Sequence, residues 1–465
     1  MAERLVFVTG HLARARLERQ LAALGDTGFE WSIVDIGVKV AALMTEQIIM
    51  RRLKLENGTE RVILPGRFRG DLDRLTAHFG IPFRRGPDEI ADRPAYLGRK
   101  GLPPDLSRHD MRIFAEIVEA SMMDIPAIIA RARRLADAGA DVIDLGCLPE
   151  TPFPHLGDAV RRLRAEGHAV SVDSADMEEL RTGAAAGADY LLSLTEHTLH
   201  LAIESGATPI LIPSQPGDLD SLGRAIEGAQ AAGLSFIADP VLDPIHFGFS
   251  RSLGRFLEAR ERWPDIELLM GTGNLTELTD ADTSGITALL GGICSELSVR
   301  NVLVVNVSPH TRRTVEEHDV ARRVLFASRK DGALPRGYSN GLLQVHDRKP
   351  FPSTAEDIHR LAQDVRDHNY RIMTAEDGIH VFNSAGHHVS RDAFELFPKL
   401  DVENDGGHAF YLGAELTRAE TAWRLGKRYI QDEPVDWGVA CDLPQDDRLR
   451  LREAGHTLRG KKDPG

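Results

Sequence analysis

Cysteine is scarce in this chain. Cys147, Cys294 and Cys441 lie far apart with no CxxC spacing, which excludes a disulfide framework and a cysteine-rich zinc module and points to a reducing compartment. Basic charge is also in deficit: 56 Lys and Arg against 70 Asp and Glu leave −14 at neutral pH, so nucleic acid is not expected as the main partner. No apolar run approaches the ~20 residues of a membrane helix. The opening MAERLVFVTG carries an acid and runs straight into a strand pattern, unlike a signal peptide. A cytoplasmic protein with no membrane partner is expected. The GxGxxG spacing of a dinucleotide site is missing too, since Gly10 stands alone after the first strand; no NAD is expected.

What is present is enough apolar material for real cores, 42% of 465 residues, in a chain long enough for two or three domains. Residues 4–10, 29–36 and 61–64 read as strands, alternating with helical patterns at 11–24, 45–55 and 72–79, which implies a small open α/β sheet of Rossmann-like character. The turn 65–70 (PGRFRG) offers two arginines beside a helix start; a solvated basic turn is favoured over an anion site. Residues 81–110 are rich in Pro, Gly and charge and read as a linker.

From residue 111 a strand–helix unit repeats. Strands are expected at 113–118, 141–145, 169–172, 190–194, 209–212, 236–238, 266–270 and 302–307, each nearly all apolar, with helices such as 125–137, 219–232, 253–262, 286–296 and 315–328 between them. Eight such units make a closed (β/α)8 TIM barrel rather than an open sheet. After residue 330 the pattern changes to a helix at 354–368, strands at 370–374 and 379–382, and a long helix at 411–430, with Asp405-Gly406-Gly407 as a tight turn before it. The expected division is a 1–100 α/β domain, a 101–330 barrel, and a 331–465 α+β domain whose charged tail is mobile.

Barrel chemistry comes from strand C-termini. Read in order, these offer Glu116 and Glu119, Asp144, Asp173 with Ser174, Ser193 with Glu196, Ser214 and Gln215, Asp239 with Asp243, Thr272 with Asn274, and Asn306 with Ser308, with no lysine among them. Converging carboxylates either hold a divalent cation or accept hydrogen bonds from a ligand with a planar donor edge, such as the N3–H and 2-amino group of a pteridine.

GADVIDLG (139–146), VSVDS (170–174), GADYLLSLT (187–195) and ADP (238–240) resemble the pterin-binding barrel of dihydropteroate synthases and of the folate- or pterin-binding methyltransferases that serve corrinoid proteins. The resemblance implies a reduced pterin as ligand, held by Asp173 and Asp239 with Asp144 close by. The strand-four asparagine of that family falls at about Leu192, which implies that its contact is either lost or moved to Ser193. The stretches matching the synthases' diphosphate ligands read IFAEIVEA, GTGNLTEL and VVNVSPH; they contain Glu116, Asn274, Asn306 and Ser308 but no Lys or Arg. His310, Arg312 and Arg313 beyond strand eight are the substitutes to examine. GTGNLT is similar to the methyltransferase stretch whose asparagine bonds the pterin near N5, which makes Asn274 and Asp173 the catalytic candidates; local backbone bonding by Asn274 weighs equally. With its N- and C-terminal parts the chain resembles the dihydropteroate-synthase-related proteins of methanogens and methylotrophs. That implies a place in tetrahydromethanopterin- or folate-type one-carbon metabolism, as a transferase on the pterin or, alternatively, a non-catalytic pterin-binding or assembly protein. A metal-dependent barrel lyase or hydrolase using Asp144, Asp173 and Asp239 is the third reading, and metal status stays open. His380, His387, His388 and His408 have no HxH or HExxH spacing, so a structural role is favoured over a metal or corrinoid ligand. A homodimer is expected, and the outer domains offer surfaces for a protein partner.

Overall fold

The computed structural model describes residues 3–25, 28–39, 44–87, 97, 104–402 and 404–442. The tail beyond 442, read above as mobile, and most of the linker at 88–103 lie outside the described residues. The chain divides into two compact units, Met1–Ser339 and Asn340–Gly465.

The first unit begins with a parallel sheet of β1 (Glu3–Thr9), β2 (Phe29–Asp35), β3 (Arg61–Leu64) and β4 (Phe83–Arg85) in the order β2-β1-β3-β4. Its helices start where the sequence supplies caps: Thr45 accepts from the Ile48 N–H, and Asp71 from those of Asp73 and Arg74. β4 falls inside the expected linker because three residues with one apolar side chain carry no periodic signal. Its Arg85 donates to the carbonyls of Phe68 and Gly70, each at 2.7 Å, and so closes the 65–70 turn.

The rest of this unit is a (β/α)8 barrel. Strands β5 (Arg112–Ile117), β6 (Val142–Gly146), β7 (Ala169–Asp173), β8 (Tyr190–Leu194), β9 (Thr208–Leu211), β10 (Ile237–Ala238), β11 (Glu267–Gly271) and β12 (Asn301–Val304) close into one parallel ring. Alternation along each strand sends residues to two cores. One set, among them Ile113, Ala115, Ile143, Val170, Val172, Leu268 and Val302, packs under the surrounding helices. The other set points inward and forms layers. At the strand N-termini Arg112 donates to Asn301 (2.8 Å) and to the Tyr190 hydroxyl (3.0 Å), and pairs with Glu267. Above them Phe114, Val142, Leu192, Ile210, Ile237 and Leu269 make an apolar plug. The next inward positions, at the C-terminal ends, are acidic.

The second unit is an antiparallel sheet of β13 (Arg371–Ala375), β14 (Gly378–Asn383) and β15 (Gly386–Ser390) against the helix Gly406–Leu425, with Trp423 Nε1 donating to the Ala375 carbonyl at 3.0 Å. The helix starts before residue 411 because Asp405 caps it, accepting from the His408 N–H, so Asp405-Gly406-Gly407 opens the helix. β15, GHHVS, was not legible: it has one large apolar residue. Its His387 Nε2 lies 3.0 Å from His380 Nδ1, and His380 Nε2 lies 2.9 Å from Asp377.

Candidate functional site

Strand register brings the acids together. Glu116 on β5 stands opposite Asp144 on β6, Asp144 opposite Ser171 on β7, and Gly146 opposite Asp173. Asp239 follows β10 directly. Glu116 finds room because Gly146 has no side chain: a Cβ there would collide with Glu116 Oε1 and stand 3.2 Å from the Val118 Cα.

Each carboxyl is only partly satisfied. Asp144 is fully buried; Ser171 Oγ donates to its Oδ1, and its Oδ2 has no partner at all. Asp173 Oδ1 accepts from Ser193 Oγ at 3.1 Å, and Asp239 Oδ1 from the Val241 N–H at 2.8 Å. Among the described residues none of the four forms an ion pair.

Burial and mutual repulsion therefore hold protons on the cluster. Burial, with the Asp173 charge behind it, pushes Glu116 up to about 7. Asp144 lies well above the ordinary carboxylate range through burial, then Asp173 and Glu116, against the Ser171 bond. Asp173 is raised by burial and eased by Ser193. Asp239 is pushed up to about 7 by burial, opposed by the Val241 N–H and Arg255 and reinforced by Asp173. Unpaired acids above an apolar plug suit a ligand that brings N–H donors, which would replace those protons.

Other expected rim residues are engaged locally. Asn274 Nδ2 donates to the Leu242 carbonyl at 2.7 Å, leaving its Oδ1 for other work. Asn306 accepts from Arg131 through both its side chain (2.6 Å) and its carbonyl (3.0 Å). The Ser308 N–H donates to Glu277, as do the Val307 N–H and the Thr311 hydroxyl. Glu196 pairs with Arg224 and accepts from Ser214, and Asp243 pairs with Arg255 at 2.7 Å. Two of the three candidate anion ligands are occupied as well: His310 bonds the Thr276 carbonyl at 3.0 Å, and Arg313 pairs with Glu316, whereas Arg312 is exposed and forms no ion pair among the described residues. Leu192 belongs to the apolar plug.

Two features escaped the sequence reading. Ser171 is the hydroxyl partner of Asp144; its place two residues before Asp173, on the same strand face, was the available signal. Beside Asp173 a cleft of about 820 Å3 runs between the loop from Cys147 to Pro154 and that from Ser174 to Glu179. Its ionisable lining is acidic, and burial with the Glu179 carboxylate raises the Cys147 thiol far out of the thiolate range. Among the described residues no group of three or more His, Cys, Asp or Glu is placed to hold a metal ion, and no helix is long and apolar enough to cross a membrane.

The chain has relatives. Residues 3–88 match the model of a family of unknown function, DUF6513. The uncharacterized protein MJ0107 of Methanocaldococcus jannaschii is 24% identical, over 92% of this chain and 98% of its own length. Among solved structures, a dihydropteroate synthase of Yersinia pestis with a pterine-sulfa conjugate is 20% identical with a TM-score of 0.37, covering 49% of this chain and 95% of its own. The 7,8-dihydropteroate synthase of Vibrio fischeri is 18% identical with a TM-score of 0.37, covering 50% and 96%.

Proposed function

We propose that the barrel mouth binds a reduced pterin, with Asp144, Asp173 and Asp239 accepting its N–H donors and Glu116 and Ser193 shaping the same end. The observation that carries this is the fully buried Asp144 with an unpartnered Oδ2, among carboxyls none of which forms an ion pair with a described residue. A neutral planar ligand with a donor edge satisfies such a group without burying a second charge. The motifs GADVIDLG, VSVDS and ADP, which prompted a pterin from sequence, supply these three aspartates. The protein is then a transferase acting on the pterin in one-carbon metabolism of the tetrahydromethanopterin or folate type, in the cytoplasm. Asn274 Oδ1 is free of the loop bond its amide makes and is our candidate contact near the pterin N5, with Asn306 and Ser308 shaping the far rim.

Calorimetric titration with 7,8-dihydropterin and tetrahydropterin tests the reading. Replacing Asp144 by Asn removes a charge-assisted acceptor and is expected to cost about 2–3 kcal/mol, roughly 30- to 150-fold in affinity. An unchanged affinity in Asp144→Asn, or no saturable binding to the parent protein, defeats the proposal.

A second reading, a pterin-binding protein without turnover, is favoured by one finding: Arg131, His310, Arg313 and Arg255 at the rim are held by protein groups, which leaves Arg312 alone of the candidates beyond strand eight to neutralise a departing diphosphate. Product formation from dihydropterin diphosphate and an arylamine excludes it; tight binding with no product supports it.

A further inference from the structure

The N-terminal sheet domain shares a second cleft with the barrel, remote from the acidic mouth. The helix Thr314–Lys330 runs back from β12 toward the strand N-termini, where its Arg322 bonds the carbonyls of Met111 and Gly139. Its last turn meets the helix His11–Ala22, and between them lies a space of about 300 Å3.

The two sides of this space differ in what they have left to offer. One side is a closed network. Arg16 stacks 4.4 Å above the Tyr338 ring while its guanidinium bonds the carbonyls of Arg336 and Gly337. Arg19 pairs with Asp331 at 2.5 Å, and the Tyr338 hydroxyl donates to the same carboxylate at 2.7 Å.

The other side is open. Arg108 and Lys330 are exposed and, among the described residues, form no ion pair. Asp105, whose carboxylate feels both charges without pairing with either, accepts from the Ser107 N–H at 3.0 Å and hydroxyl at 2.6 Å. Arg108 stands 5.5 Å over the Phe326 ring, which also has Arg329 at 5.8 Å, and this stacking holds the Arg108 guanidinium at the cleft. Facing inward from the first helix, Gln20 buries its Oε1 with no donor. A buried acceptor left without a donor is costly, so it marks where a donor is missing.

We infer that this cleft binds a small organic anion that also carries an N–H donor: the anion lies between Arg108 and Lys330, and the donor reaches Gln20 Oε1. The volume suits a molecule no larger than a nucleoside monophosphate. The anion is a phosphate or a carboxylate. The site gives the N-terminal domain, which supplies Gln20, a role independent of the pterin reading.

The test is calorimetric titration of the full chain with AMP, with N-acetylglutamate and with inorganic phosphate. Saturable binding of AMP or of N-acetylglutamate is expected, the first assigning a phosphate and the second a carboxylate. Arg108→Ala and Lys330→Ala each weaken that binding by about tenfold or more, as loss of one charged contact does. Gln20→Leu weakens AMP or N-acetylglutamate comparably but leaves inorganic phosphate unaffected. Asp173→Asn, at the other end of the barrel, changes none of these. Both cation substitutions are of exposed side chains, and circular dichroism checks that each variant is folded. The inference is overturned if none of the three probes binds saturably at millimolar concentration, if both cation variants bind as the parent does, or if phosphate alone binds with an affinity equal to that of AMP.

Discussion

Replacing Asp239 by Asn should stabilise the protein, and more so as pH rises. Asp239 is pushed from 3.8 up to about 7 by burial, and its Oδ1 accepts the Val241 N–H, a bond an amide oxygen keeps. Because its folded value lies above its unfolded one, the native state holds a proton that the unfolded chain has released. Stability from this group is complete below about pH 4 and is lost progressively as pH climbs through 7. A displacement of about three units corresponds to ~4 kcal/mol across that window, which solvent at the half-open mouth reduces to about 2–3 kcal/mol. Roughly half falls between pH 5.5 and 8. Asp239→Asn has no such loss, so its stability advantage over the parent should widen by about 1–2 kcal/mol from pH 5.5 to 8. With two units in the chain a single unfolding midpoint is ambiguous. Hydrogen exchange of peptides from β9 to β12, in a urea series at both pH values, isolates the barrel. If the gap between variant and parent is the same at both, Asp239 is ionised in the folded protein and the electrostatic account of the mouth is wrong.

Pterin binding should release protons near pH 6.5, because Glu116 and Asp239 sit at about 7 and ionise when N–H donors arrive; binding heats that do not vary with buffer ionisation enthalpy refute this. Gly146→Ala forces Glu116 aside and crowds the Val118 backbone, at a cost of about 1–3 kcal/mol. Adding Glu116→Ala should recover part of that loss in urea titrations, and strictly additive effects would mean the two residues do not touch. Phe114→Ala, in the apolar plug and fully buried, should cost about 3–5 kcal/mol by exchange of the barrel peptides; a cost below ~1 kcal/mol would mean the plug is not packed as described.

The barrel was legible because its strands are doubly buried and read as continuous apolar runs between helices of 3.6 period. β7, for example, emerges at Ala169–Asp173 where residues 169–172 were expected. Elements without that signature were missed. β4 (FRR) and β15 (GHHVS) exist by pairing with a stronger neighbour, and pairing is a long-range fact that a local window does not carry. At the mouth, position along each strand placed Glu116, Asp144, Asp173 and Asp239 on one end. It did not separate them from Glu196 and Asp243, which occupy equivalent strand ends. That distinction depends on Arg224 and Arg255, which come from the helices after β9 and β10.

The contrast between these two sets of acids bears on why the mouth is read as a binding site. A fold that merely tolerates carboxylates at its strand ends neutralises them, and this chain does so: Glu196 has Arg224, Asp243 has Arg255, and Glu277 collects the Val307 and Ser308 N–H groups with the Thr311 hydroxyl. At Glu116, Asp144, Asp173 and Asp239 the chain supplies two hydroxyls and one backbone N–H for four carboxyls. Each of these groups weakens the folded state as it ionises, and an amide of the same shape would remove that penalty. Sites that run against the stability of their own scaffold are where function is sought first. On the proposed reading the element the chain leaves out is a set of hydrogen-bond donors presented from the open end of the barrel. A cation would also answer the charge, yet no three of these groups are placed as a ligand set. A planar edge of neutral N–H groups would supply the hydrogen bonds these carboxyls lack and lie on the apolar plug beneath them.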